Sequence, residues 1–166
     1  SLKIKHILRA MGDCPFIDPS IIEQTTNVYF SGKYDFCHLV GEFPSGLDTT
    51  IFSFDCLENT WQNAAKKSER EHITPYITTN PTRFKIGCCQ PITGLYHHRW
   101  VVDHAEDYEF AKAVYAALQR DEPNFSWKNV VNILTQQPEL AKLNSKIRRD
   151  EGYLRSLQED RYVDKK

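Results

Sequence analysis

Ile7-Leu8-Arg9-Ala10-Met11-Gly12-Asp13-Cys14-Pro15-Phe16-Ile17-Asp18-Pro19 decides the architecture, because an apolar run ends at an acidic residue and then opens a helix. Residues 7–11 read as a short strand and residues 12–15 as a turn. Asp18 is placed to cap a helix whose first position is Pro19, where a backbone N–H would have no partner in any case. That helix carries Ile21, Ile22, Thr25, Val28 and Tyr29 along one side and stops at Gly32. Strand, loop and helix in this order form the repeating unit of an α/β protein, with the loop at the carboxyl end of the strand, where ligands bind. Asp13, held at that edge, can grip a metal ion that carries phosphates.

Working outward, residues 34–39 form a weak second strand, and residues 49–54, rich in β-branched and aromatic side chains, form a stronger one. The loop between them is fixed by Pro44 and Gly46. Residues 55–65 place Leu57, Trp61 and Ala64 or Ala65 on a helical face. Ser68-Glu69-Arg70-Glu71 has the pattern of a capping box, which starts a helix at Glu69 with Ile73, Tyr76 and Ile77 as its buried stripe. Pro75 should kink or shorten that helix.

Residues 84–89 and 99–102 read as two more strands, the second followed directly by Asp103 and by a helix over residues 105–120. That helix puts Tyr108, Ala111, Val114 or Tyr115, and Leu118 near one face. Beyond Asp121 the chain is helical in character: Ser126 caps a helix running through Thr135, Pro138 opens another through about Leu143, and residues 151–157 add a last turn or two. The tail from residue 159 is expected to fray. Residues 1–120 thus read as an α/β domain and residues 121–166 as a helical extension packed on it.

A chain of 166 residues with 40% hydrophobic residues suffices for one compact core. The formal charge of −1 and the scatter of basic among acidic residues argue against DNA, RNA or anionic membrane as partners. No run approaches the roughly 20 apolar residues that span a bilayer, and the first residues lack a signal peptide's apolar segment, so the chain reads as cytoplasmic. Five cysteines, at 14, 37, 56, 88 and 89, offer no Cys-x-x-Cys pair and read as reduced thiols.

Asp13 and Asp103 share a context, each just past an apolar strand and near a helix start. If both strands lie in one parallel sheet, both carboxylates emerge at its ligand-binding edge and can meet one hard cation. Such a pair suits magnesium-assisted attack on a phosphoryl group. Plainer readings use the same residues: Asp103 with Glu106 three positions on makes a helix cap, and Asp13 beside Gly12 caps a turn. Arg9 reaches either a phosphate or a surface acid. A second cluster lies between residues 44 and 76, where Gly46 permits a tight approach, Asp48 adds a carboxylate, and Glu69, Arg70, Glu71 and His72 crowd a helix opening that attracts anions. Glu69, Arg70 and His72 also fit a structural role. His97 and His98, if in a strand, point to opposite sides and cannot share one ion.

Taken in order, Gly12-Asp13-Cys14-Pro15-Phe16-Ile17-Asp18-Pro19, Gly46-Leu47-Asp48 with Phe52-Ser53-Phe54, Ser68-Glu69-Arg70-Glu71-His72-Ile73-Thr74-Pro75-Tyr76-Ile77, Arg99-Trp100-Val101-Val102-Asp103-His104-Ala105-Glu106-Asp107, and the stretch from Asn144 to Glu151-Gly152-Tyr153 resemble one family. It is the cytidylyltransferase-like family that includes spore coat polysaccharide biosynthesis proteins and is similar to the acylneuraminate and 3-deoxy-manno-octulosonate cytidylyltransferases. The resemblance implies a nucleotide-diphosphate-sugar transferase-like α/β fold with a mixed sheet, incomplete at its N-terminal side, and a helical C-terminal region. It implies CTP and a sugar or sugar acid as substrates, Mg2+ as cofactor, pyrophosphate as leaving group and a homodimer as the assembly. Asp13 and Asp103 match the family's metal-binding aspartates. Arg9 and Gly12 then belong to the substrate side of that site, and Gly46, Asp48, Arg70 and His72 to the region near the sugar and the dimer contact. The family's glycine-containing triphosphate loop and cytosine pocket have no counterpart in this sequence, so the chain by itself is expected to bind CTP poorly and to be inactive. His104-Ala105 also stands where the family has threonine and proline. A glycosyltransferase of similar topology and a non-catalytic dimerising remnant are the competing expectations. Neither the sugar nor the base follows from the sequence.

Overall fold

The computed structural model describes residues 3–118 and 125–163. Four strands, β1 (His6–Ala10), β2 (Phe36–Leu39), β3 (Thr49–Ser53) and β4 (Ile86–Cys89), form one mixed sheet in the order β1-β3-β2-β4. β3 is antiparallel to both its neighbours and β2 is parallel to β4, so β1, β2 and β4 all run the same way. This is the mixed α/β sheet that the resemblance implies.

Each face has its own core. On one side Cys37, Leu39, Ile51 and Cys89 pack against Ile21 and Tyr29 of α1 (Pro19–Gly32). On the other, Phe36 and Phe52 meet Cys56 of α2 (Phe54–Asn63), Tyr76 and Ile77 of α4 (Thr74–Thr78), and Phe84. On that second face the row Ile7-Phe52-Phe36-Ile86 is apolar, and the next row toward the carboxyl ends of β1, β2 and β4 is Arg9-Thr50-His38-Cys88. Successive same-face residues lie two apart along a strand, so the surface changes from core to polar floor within one pleat.

α1 begins at Pro19 and ends at Gly32 as its sequence dictates, although the left-handed residue that closes it is Lys33, at φ 50°. Ser53 caps α2 by accepting the Cys56 N–H, and the buried row is Cys56, Thr60 and Ala64. Trp61, expected on the inner face, is 63% exposed, since the inward i, i+4 row passes one residue ahead of Leu57 and Trp61. The helix expected from Glu69 starts instead at Lys67, as α3 (Lys67–His72), because Glu69 sits at its third position and its Oε2 accepts both the Ala65 and Lys66 N–H groups. Ile73, at φ 57°, breaks α3 from α4, two residues ahead of Pro75, whose ring would clash with the preceding turn of a continuous helix.

Residues 99–102 do not form a strand of the sheet. Arg99 makes only an isolated parallel bridge to Ser45, with the Trp100 N–H donating to the Ser45 carbonyl at 2.7 Å. Trp100 is fully buried and Arg99 nearly so, and neither can leave its partners to join a sheet edge. His97 and His98 accordingly do not alternate as strand residues; their rings lie 4.1 Å apart. In α5 (Ala105–Ala117) the buried residues are Asp107, Phe110, Ala111 and Val114, whereas Tyr108 and Tyr115 are exposed. Ala111, Val114 and Leu118 of the expected face are thus buried, and at its start Asp107, held by Arg99, takes the inward place expected for Tyr108. The stretch of that helix expected up to Arg120, and the domain boundary at 120/121, lie outside the described residues.

Ser126 stands before α6 (Trp127–Gln136), residues 140–142 form only a 3-10 turn, and α7 is Glu151–Gln158. Val130, Ile133 and Leu134 of α6 share the core of α1 and α5. The tail expected to fray is pinned through Val163, where the Lys67 N–H donates to the Arg161 carbonyl and the Val163 N–H to the Ala65 carbonyl. No helix among the described residues is long and apolar enough to cross a membrane.

Candidate active site

A cavity of about 690 Å³ opens where the polar row of the sheet ends. Arg9 and His38 come to it from β1 and β2, Asp13 and Cys14 from the turn after β1, Ser45 and Asp48 from the loop before β3, His72 and Thr74 from the α3–α4 break, and Asp103 from the turn before α5. Asp150, Glu151, Gly152 and Tyr153, at the start of α7, form the remaining wall.

Asp13 and Asp103 meet through the backbone. The Val102 N–H donates to the Asp13 carbonyl at 2.9 Å, which lashes the turn after β1 to the turn before α5. Their juxtaposition therefore comes from a loop-to-loop tie, not from two parallel strands. Cys14 lines the same cavity with its thiol 3.5 Å from Asp13 Oδ1: burial raises its pKa far above the ordinary value, and the charges of Asp13, Asp48 and Asp103 push it in the same direction. A buried thiol that feels the charge of three carboxylates marks this part of the cavity as negative. Asp48 is open to solvent but has protein on most sides, and this partial desolvation raises its carboxyl above the usual range, against the Gly46 N–H bond at 3.1 Å and the charge of Arg149.

Asp103 is held from behind. Arg99 lies beneath it, donating from Nε to Asp107 Oδ1 and from Nη2 to Asp107 Oδ2, both at 2.9 Å, and from Nη2 to Asp103 Oδ2 at 2.8 Å. Asp107 also accepts the Asp103 and His104 N–H groups at 3.1 Å, and Asn144 Nδ2 bridges Asp107 Oδ1 and the Arg99 carbonyl. Burial alone would raise the Asp107 pKa, but the bonds from Arg99, Asn144 and the Asp103 backbone outweigh it and hold it below the ordinary carboxylate value. A fully satisfied buried network of this kind is rigid. Arg99, Asp107 and Asn144 were not among the sequence candidates. The i, i+4, i+8 spacing of Arg99, Asp103 and Asp107 was visible, but nothing in the sequence ties Asn144 to them.

The other candidates separate. Arg9 lines the cavity and makes no ion pair with a carboxylate among the described residues. Gly12 sits in the turn outside the cavity lining, and a Cβ there would meet nothing within 4 Å. Gly46 lies behind the wall at φ +100°, where a Cβ would fall 2.2 Å from the Trp100 carbonyl oxygen. Arg70 turns away from the cavity and closes the end of α2, donating to the Trp61 and Ala64 carbonyls at 3.2 Å. His72 lines the cavity, with Nε2 at 3.0 Å from Ser156 Oγ of α7.

Among the described residues no three His, Cys, Asp or Glu side chains gather closely enough to hold an ion by themselves. The donor set suits magnesium nonetheless. That ion keeps several waters and is commonly held by one or two carboxylates together with substrate phosphates, and Asp13 and Asp103 are hard oxygen donors on a solvent-open cavity. Arg99 engages one oxygen of Asp103, leaving the other for a ligand.

No family model matches the chain. It is 30% identical over 146 residues to an uncharacterised protein of Methanocaldococcus jannaschii, a match that covers 86% of this chain and 58% of that protein. To the spore coat polysaccharide biosynthesis protein SpsF of Bacillus subtilis it is 24% identical over 144 residues, 85% of this chain and 59% of SpsF. Its fold matches a solved cytidylyltransferase of Leptospira borgpetersenii with a TM-score of 0.76 and 28% identity, over 83% of this chain and 59% of that one. The chain thus spans about three fifths of the length of the relatives it matches.

Proposed function

From the premise that the chain belongs to the cytidylyltransferase family, we propose that its cavity is the metal-binding and sugar-binding part of a nucleotidyltransferase site. In this reading a hydroxyl of a sugar or sugar acid takes the nucleotidyl group of CTP, pyrophosphate leaves, and the activated sugar serves surface polysaccharide synthesis. The observation that supports it most directly is the Val102–Asp13 backbone bond, which brings Asp103 and Asp13 to one end of one cavity.

Asp13 and Asp103 are the residues that would hold Mg2+. When bound, such an ion screens the charge on phosphate oxygens and orients them. The chain's own groups set up the remainder. Arg99 and Asp107 fix the Asp103 carboxylate against rotation, so no ordering cost falls on the moment of binding. Arg9, unpaired in the described structure, is a cation available to a phosphate at the edge of a cavity otherwise dominated by acids. Asp48 and His72 supply acceptors and donors suited to sugar hydroxyls.

Asp13→Asn tests the reading. In assays of pyrophosphate release with CTP and Mg2+, made in the full-length context, turnover is expected to fall at least about a hundredfold, in line with the several kcal/mol a bound metal supplies. The melting temperature is expected to stay within a few degrees. Unchanged turnover would remove Asp13 from the site, and release of free nucleotide from a nucleotide-sugar would favour a glycosyltransferase. Calorimetric titration with CTP and Mg2+ measures how much of the nucleotide site this chain itself supplies.

A further inference from the structure

His72 is backed by a chain of two hydrogen bonds that crosses from α3 to α7. Ser156, a residue only 5% exposed, places its Oγ 2.8 Å from Glu71 Oε2 and 3.0 Å from His72 Nε2. A serine hydroxyl has one proton and an ionised carboxylate has none, so the hydroxyl donates to Glu71 and its oxygen accepts from His72 Nε2–H. This assigns the tautomer: Nε2 carries the proton and Nδ1 keeps its lone pair. Nδ1 has no protein partner among the described residues, and the Tyr153 ring, edge-on at 5.4 Å, fixes the plane of the imidazole. His38, the other imidazole on the cavity, has as its one polar side-chain partner among the described residues the Cys88 thiol at 3.9 Å, and its burial opposes a positive charge.

We propose that His72 Nδ1 takes the proton of the sugar hydroxyl as that hydroxyl attacks phosphorus, with Ser156 and Glu71 as positioning residues; this rests on the nucleotidyl-transfer reading above. The new bond joins the sugar oxygen to the α-phosphorus, the bond from that phosphorus to the bridging oxygen breaks, and its electron pair leaves with pyrophosphate. The hydroxyl proton moves to Nδ1, and the imidazolium is stabilised by Glu71 through Ser156 until the proton passes to water. Besides Glu71, the charged groups that share the cavity with the ring are Asp150 and Glu151 at the start of α7, Arg9, Arg99, Asp13, Asp48 and Asp103; from α4 only Thr74, Pro75 and Thr78 line it.

Two measurements on the full chain test this. Long-range 1H–15N spectra of histidine-labelled protein should show the Nε2–H tautomer of His72, a tautomer mixture in Ser156→Ala, and in Glu71→Gln a proton affinity about three- to tenfold lower. An Nδ1–H tautomer in the wild type overturns the proposal whatever the activity. Pyrophosphate release is then followed with CTP, Mg2+ and a panel of hexoses, hexosamines and 2-keto sugar acids. His72→Gln should lower kcat by about 10²–10⁴, change KM by no more than a few-fold, and abolish the fall in rate below the pKa measured for His72. If His72→Gln keeps both kcat and that acid limb, the proton-acceptor role is wrong and nucleotidyl transfer stands. If no pyrophosphate is released with any acceptor even when a nucleotide-binding part is supplied alongside this chain, the transfer reading fails and this role fails with it.

Discussion

At the scale of single residues, identical letters do different work. Gly12 and Gly46 both precede an acidic residue by one or two positions, yet Gly12 lies in open space and Gly46 stands at φ +100° against the Trp100 carbonyl. Gly46→Ala is therefore expected to cost at least about 2 kcal/mol, and Gly12→Ala to stay within about 0.5 kcal/mol, measured as shifts of the urea midpoint. Asp107 is the second case. It was readable as one more acid at a helix start, but its burial under Arg99 depends on where Asn144 lies, thirty-seven residues on. Asp107→Ala leaves the buried Arg99 guanidinium with Asp103 as its one carboxylate partner and is expected to cost about 3–5 kcal/mol at pH 7. Since the folded pKa of Asp107 is depressed, its contribution is complete above the unfolded carboxylate value near 4 and is lost as pH falls through the folded value. The stability gap between wild type and variant should thus narrow as pH falls below about 4.

At the scale of elements, Asp18 shows how far a local signal reaches. Its role as the cap of α1 was legible, and Oδ1 accepts the Ser20 N–H at 2.7 Å. What the sequence could not show is that Oδ2 accepts the Trp127 N–H at 2.6 Å, so that one buried carboxylate closes the start of α1 and of α6 together. Asp18→Ala is expected to cost about 3 kcal/mol, more than a single cap, by combining the loss of two charge-assisted bonds; Asp18→Asn, which keeps one acceptor, should cost less than half of that. The α3–α4 break was legible as a consequence of Pro75, but its place was not, because Glu69 starts α3 early and Ile73 ends it. Chemistry that depends on residues 71–74 follows from that placement, since it sets His72 beside Ser156.

At the scale of the molecule, Phe16 joins the parts. Fully buried, it packs with Trp100, Phe110, Tyr115 and Phe125 at ring separations of 5.2–6.2 Å, linking the turn after β1 to α5 and to the approach of α6. Since α6 also buries Val130, Ile133 and Leu134 in the same core, the described parts are expected to unfold in one cooperative transition. Phe16→Ala should lower the midpoint by about 3–5 kcal/mol without splitting that transition, and two separate calorimetric transitions would show the C-terminal helices to be an independent unit.

Periodicity, caps and punctuation settled β1, α1, β3, α6 and α7, and with them a mixed α/β chain; these are short-range preferences, decided within a few residues by backbone sterics and hydrogen-bond supply. They could not settle that residues 99–102 leave the sheet, that Arg70 closes a helix end instead of facing the cavity, or that Asp13 and Asp103 meet through loops. Those outcomes turn on burial of Trp100, Arg99 and Asp107, and a side chain's burial is a property of whatever the distant chain brings against it.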